Sequence, residues 1–248
     1  MKGRQRGIAL VLVLWMVAIL AVLAAGFAQI IRLEARRVGN AVGGAEARAL
    51  MEEGLALAAL RLQTGEEAAY WRADGMARTL TRPGGTVTVR VVDEGGKLDL
   101  NAADAGLIER LFGATALGVR PYPAVAQLAA VDEEVWRRFR EYVTVHGGPQ
   151  VNGATAAPDL LELLAPRDVA ALLAGRADPA WQPDGPLTER LARGHMVYAS
   201  TGGSVVSVRL EAVTVNGAMA SAEAVVWLGS DGAAPLRRLE WRTPADSR

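Results

Sequence analysis

Four carboxylates fall in one short stretch of the chain, at Asp93, Glu94, Asp99 and Asp104. Calcium takes six to eight oxygen ligands, so these four and nearby carbonyls could begin a calcium site. Their spacing lacks the regular pattern of an EF-hand loop, and turn or capping roles suit the same residue types. The only histidines are His146 and His195. Neither has a histidine four positions away or a glutamate in a zincin arrangement, so surface or hydrogen-bonding roles account for them. Gly202-Gly203-Ser204 lacks the Gly-x-Ser-x-Gly spacing of a nucleophile elbow. No phosphate-binding loop or dinucleotide fingerprint is present. The absence of cysteine excludes disulfides and thiolate zinc sites. The 27 basic residues are balanced by 27 acidic ones, with no dense basic block beyond the first few positions. General nucleic-acid binding needs such a block. Nothing here converges on catalysis, and the expectation is a protein that is not an enzyme.

The elements that would position these residues begin with the N-terminus. The 248 residues suffice for one or two domains. Gly7 to Ile31 contains no charged residue, and Gln29 is its only strongly polar one. About 25 residues at ~1.5 Å each make roughly 37 Å of helix, enough to cross a ~30 Å hydrocarbon core. Lys2, Arg4 and Arg6 precede the run, which places the N-terminus in the cytoplasm and the body outside. Ala24, Ala25 and Gly26 also match a signal-peptide cleavage site, so that alternative stays open. Strong helix formers continue to Leu62, although Gly39, Gly43 and Gly44 weaken the middle. The pattern fits either an anchor with a linker helix or one long helix whose second half packs on a globular body.

Farther along, Thr86 to Val92 is rich in β-branched residues and reads as a strand, closed by the turn Asp93-Glu94-Gly95-Gly96. Lys97-Leu98-Asp99-Leu100-Asn101-Ala102-Ala103 then leads into a helix over Leu107–Leu111. The scheme recurs at Val151–Leu164: aligning Ala103 with Ala156 puts Leu107 on Leu160 and Ile108 on Leu161. There Thr155 is the expected N-cap, ahead of Pro158 in the first turn. Between the copies, Ala124–Val145 carries one helical face, with Trp136 and Phe139 as core residues. Asp168–Leu173 offers a further short helix, and Gly175–Gly185 reads as an exposed loop. Strands follow at Ser204–Val215, Ala218–Leu228 and Leu236–Arg242, the first two joined by a two-residue Asn216-Gly217 turn.

Lys-Gly-Arg-Gln-Arg-Gly before an apolar run resembles a leader read by prepilin peptidase. The segment Asp93–Ala103 resembles Asp-Glu-x-Gly-Lys-Ile-Asp-Leu-Asn-Thr-Ala of the K-type minor pseudopilins of type II secretion, with Ala102 in place of threonine. The ending Leu239-Glu240-Trp241-Arg242 resembles theirs too. The resemblance spans almost the whole chain, and the motif residues are Asp93, Glu94, Gly96, Lys97, Asp99 and Asn101. It implies cleavage after Gly7, with Ile8 becoming the N-methylated terminus. Most pilins carry glutamate at the fifth mature position, where this chain has Leu12; its absence is a mark of the K type. A charge in lipid is expensive unless paired, and a subunit entering at the tip has no terminal amine above it to pair with.

The implied fold is α+β: a long N-terminal transmembrane helix, a small antiparallel sheet and an inserted helical domain. The expected divisions are a leader 1–7, a helix 8–62 with its transmembrane part 8–31, a body 63–96 with 195–248, and an insert 97–194. The insert is abbreviated, because Leu111–Gly118 passes almost directly to Arg120-Pro121-Tyr122 where relatives carry an aspartate-rich stretch. Related proteins can bind calcium there, but their ligands find no match in this chain, and no cofactor or metal is assigned. The implied role is a minor pseudopilin at the pseudopilus tip, anchored in the bacterial inner membrane with its body in the periplasm. There it would nucleate assembly and aid protein export across the outer membrane. Implied partners are minor pseudopilins of the I and J types, the major pseudopilin and prepilin peptidase, with no nucleic acid. Two alternatives are a minor pilin of a type IV pilus and a membrane-anchored helix-hairpin-helix protein of DNA uptake. The Asp93–Ala103 segment weighs against the first. Hairpins at Phe112–Thr115 and Ala165–Asp168 without Gly-x-Gly weigh against the second.

Overall fold

The computed structural model describes residues 5–63, 71–113, 116, 118, 120–178, 180–200, 203–229 and 236–243. Helix α1 runs unbroken over Gln5–Gln63, 59 residues or roughly 88 Å. Its apolar part is long enough to cross a membrane and is wholly exposed in the isolated chain. The two readings of this region are thereby resolved in favour of one helix. From Gly43 onward a buried stripe follows the helical period: Ala47, Leu50, Met51, Leu55, Ala58 and Ala59.

The strands in chain order are β1 (Asp74–Arg82), β2 (Gly85–Asp93), β3 (Leu98–Asp99), β4 (Val143–Thr144), β5 (Val151–Asn152), β6 (Met196–Val197), β7 (Val205–Thr214), β8 (Met219–Leu228) and β9 (Leu236–Arg242). Five of them form one antiparallel sheet in the order β1-β2-β7-β8-β9. Alternate residues of β2 and β7 (Val87, Val89, Val91; Val206, Val208, Leu210, Ala212) bury against the α1 stripe and form one core. The approach is close. A Cβ on Gly43 would lie 2.7 Å from the Ala218 Cβ, and one on Gly54 would lie 3.1 Å from Val87. Because Gly43 faces the β7–β8 connection while Gly54 faces Val87 and Leu210, β7 runs against α1. The start of β7 therefore lies at the end of the sheet farthest from the apolar segment.

The described residues between β2 and β7 form a second unit with its own core, including Leu98, Leu100, Leu107, Ile108, Leu161 and Leu191. Among the described residues its α-helices with defined bounds are α2 (Ala105–Phe112), α3 (Leu128–Val131), α4 (Glu133–Phe139), α5 (Pro158–Leu164), α6 (Val169–Gly175) and α7 (Gly185–Arg193).

The structure corrects several expectations. The single helix over Ala124–Val145 is broken at Asp132, which is extended and accepts hydrogen bonds from the Glu134 and Val135 N–H groups, starting α4 afresh. Val143 and Thr144 leave the helix altogether for β4. The N-cap of α5 is Ala157, with no side-chain cap, and not Thr155, whose hydroxyl is used elsewhere. The β7–β8 connection spans four residues, Val215 to Ala218: Thr214 N–H donates to Ala218 O, and Gly217 takes φ +80°. That is the wider hairpin loop in which glycine supplies the left-handed residue. Strand β1 and helix α7 were not anticipated.

Candidate functional site

The motif residues converge where β2 leaves the sheet. Asp93, Glu94 and Asp99 are each at most 3% exposed, and buried carboxylates persist only when their oxygens are satisfied. Asp93 ends β2. Its Oδ1 accepts from Gly95 N–H (2.9 Å) and Gly203 N–H (3.0 Å), and its Oδ2 from the Thr155 hydroxyl (2.7 Å) and the Asn152 amide (3.3 Å). One side chain thus ties both chain crossings to the β5–α5 loop. The packing leaves no spare room, since a Cβ on Gly96 would lie 2.7 Å from the Thr155 hydroxyl and one on Gly203 2.8 Å from Asp93.

Glu94 accepts from the Lys97 ammonium and the Thr144 hydroxyl. Lys97 also donates to Ser207 on β7 at 3.3 Å. Burial pushes the Glu94 carboxyl up, but the Lys97 charge and hydrogen bonds from Lys97, Thr144 and Ser207 outweigh it. The carboxyl ends below its ordinary value. Asp99 Oδ1 accepts from the Asn101 and Ala102 N–H groups (2.7 and 2.9 Å), and its Oδ2 from Gly147 N–H (2.7 Å). Asn101 pairs with the Tyr122 backbone through both N–H (2.7 Å) and C=O (2.8 Å). Asp104 caps α2 on Leu107 N–H at 3.0 Å.

Asp93, Glu94 and Asp99 are taken up by N–H, hydroxyl and ammonium donors, while the exposed Asp104 caps α2. Among the described residues no group of three or more His, Cys, Asp or Glu is placed to hold a metal ion. Both histidines make polar contacts: His146 Nε2 lies 2.7 Å from Glu240 on β9, and His195 Nε2 lies 3.9 Å from Asp104.

The recurrence read in the sequence is a structural one. The shift that places Ala103 on Ala156 also places β3 on β5 and β4 on β6. Both pairs are two-residue parallel ladders, Leu98 with Val143 and Val151 with Met196. The same shift puts Asp99 on Asn152, each accepting from the N–H two residues on. In the first copy Arg120 donates to Leu100 O and Ala103 O; in the second, Arg176 donates to the equivalent Gly153 O and Ala156 O. The copies clasp each other reciprocally. The Tyr142 hydroxyl, ahead of β4, donates to Asp159 at the start of α5, while His195, ahead of β6, approaches Asp104 at the start of α2. The insert is a doubled module with approximate twofold symmetry.

All six motif residues are brought together, and Leu12 stands apart, 59% exposed on α1. Gly7 and Ile8 lie in the first turns of α1, and their side chains are outside the described residues. Sequence reasoning missed Thr144, Asn152, Thr155, Gly203 and Ser207, which complete the junction. Only Asn152 carried a signal, through its alignment with Asp99.

A long N-terminal helix packed on an antiparallel sheet, with helices inserted between neighbouring strands, makes this an α+β pseudopilin fold. A chain of the crystal structure of the GspK–GspI–GspJ complex from the enterotoxigenic Escherichia coli type 2 secretion system shares it, with TM-score 0.57 and 17% identity, covering 86% of this chain and 98% of that chain. No family model matches the chain. No curated protein matches it either.

Proposed function

We propose that this chain is a minor pseudopilin of the K type, acting at the tip of a type II secretion pseudopilus. The observation that carries the reading is the doubled helical module inserted between adjacent strands β2 and β7 of a pseudopilin fold. It projects from the end of the sheet farthest from the anchor, where bulk at the head of a fibre meets no subunit above. The role is structural: it nucleates a tip complex with I-type and J-type subunits and supports export across the outer membrane. Prepilin peptidase cleaves after Gly7, Ile8 becomes the methylated terminus, and the major pseudopilin joins below. The segment 8–31 spans the inner membrane, with the body in the periplasm. The test is co-purification of the full-length protein with the other minor pseudopilins of the same cell, alongside intact-mass measurement. Loss of residues 1–7 and capture of two such partners are expected. A terminus near Ala25 or Gly26, or no pseudopilin partner, would sink the reading.

A further inference from the structure

The sheet has two faces, and α1 covers only one. On the other, alternate side chains of β2, β7, β8 and β9 point outward. One row across the strands reads Arg90, Arg209, Glu223 and Arg242. The next row reads Thr88, Glu211 and Ser221. Trp136, Arg140 and Glu141 of the insert face these rows across a cleft of about 820 Å³.

The charges in this cleft are not settled internally. Like charges directly opposite each other destabilise a sheet, yet Arg90 and Arg209 are Cα partners on neighbouring strands. Arg209 reaches Glu223 only at 3.7 Å. Among the described residues, the Arg90 and Arg140 side chains form no ion pair or side-chain hydrogen bond. Lys97 and Arg242 are already committed to Glu94 and Glu240. Glu211 and Glu141 also line the cleft and, among the described residues, form no ion pair.

We propose that this cleft receives an extended segment of a neighbouring polypeptide, carrying a carboxylate for Arg90 and Arg209 and a cationic or hydroxyl side chain two residues away for Glu211. The register dictates that spacing. Successive outward rows lie two residues apart, about 6.8 Å, and residues i and i+2 of an extended chain share one face at the same interval. A small free anion satisfies only the arginines. Half-buried Trp136 at the rim adds an aromatic surface of the kind that, with arginine, anchors protein interfaces. The proposal rests on reading the chain as a subunit of an assembly.

The test titrates full-length protein in detergent with a fluorescent Thr-Glu-Thr-Lys-Thr peptide and its all-lysine counterpart, with inorganic phosphate as competitor. Saturable binding of the mixed peptide is expected, weakened about tenfold or more by Arg90→Thr or Arg209→Thr as charge-assisted bonds are lost. Arg90→Thr removes the like-charge pair without breaking an ion pair, whereas Arg209→Thr also loses Glu223. Tm of Arg90→Thr should therefore rise by about 1–2 °C, which separates lost binding from lost folding. No saturable binding, unchanged binding in Arg90→Thr, preference for the all-lysine peptide, or full displacement by phosphate would overturn the proposal. Co-purification with minor pseudopilins is measured in parallel on wild type and Arg90→Thr. Equal capture by both leaves the pseudopilin reading intact and removes the cleft. No capture by wild type removes the pseudopilin reading, and the peptide titration still decides the cleft.

Discussion

Glu94 and Lys97 depend on each other in a place where neither would be tolerated alone. Replacing Lys97 by Met leaves a carboxylate with 3% side-chain exposure and only the Thr144 and Ser207 hydroxyls to face it. Removing one partner of a buried pair costs about 3–5 kcal/mol. Urea denaturation of Lys97→Met should show a loss of that order, and Glu94→Gln in the same chain should recover part of it. The pH dependence has a definite sign. The Glu94 carboxyl lies below its ordinary value of 4.5, so its contribution is present above 4.5 and lost as pH falls through the lower folded value. The urea midpoints of wild type and Glu94→Gln should therefore converge on acidification below 4.5, and a gap that widens there would contradict the assignment. Leu12 makes a different prediction. If the chain takes the proposed tip position, the added carboxylate of Leu12→Glu has no amine to pair with in lipid. The variant should accumulate poorly or secrete no better than wild type, and its incorporation along the fibre shaft without harm to secretion would make the missing glutamate a sufficient switch. The motif residues were legible as a cluster because they are neighbours in the chain. The partners of Asp93 were not, because they lie 59 to 110 positions downstream and only the fold brings them back.

Elements were legible in proportion to how one-sided their burial is. Strands β2 and β7 alternate cleanly because α1 covers one face, and period two followed from that. Strand β1 lies at the sheet edge with none of its residues buried in the core, so Asp-Gly-Met-Ala-Arg-Thr-Leu-Thr-Arg shows little of that pattern. Helix α7 buries only Leu187 and Leu191, too few to stand out from the loop before it. Asp132 hid inside an apolar periodicity that is continuous in sequence but divided in space. Asp132→Ala should cost about 1 kcal/mol, the usual value of an N-cap, read as a lower midpoint in urea. Gly43 carries the opposite lesson. It read as a weak point in the helix, yet it is where the β7–β8 loop touches α1. Gly43→Leu should improve local helix propensity and still lower Tm, because the added side chain meets Ala218. A rise in Tm would show that the loop moves aside freely.

At the scale of the molecule, two cores meet at one polar junction. The sheet core draws on α1, β2, β7 and β8, and the insert core draws on residues between β2 and β7. The last residue of β2 and the second of β7, Asp93 and Val206, are Cα partners. A two-residue turn can join such a pair directly. Replacing residues 94–205 with Asn-Gly should therefore leave the α1–sheet core complete and the chain membrane-anchored. Asp93 would lose the Thr155, Asn152 and Gly203 donors but gain water, because the turn would lie at an open end of the sheet. The shortened protein, purified in detergent, should retain β-sheet circular dichroism and melt cooperatively. It should no longer support secretion in place of the full chain, if the projecting module is what distinguishes a tip subunit from a shaft subunit. Loss of the cooperative melt would mean that the junction welds the two cores into one folding unit. A cooperative melt with undiminished secretion would instead move the tip role onto α1 and the sheet.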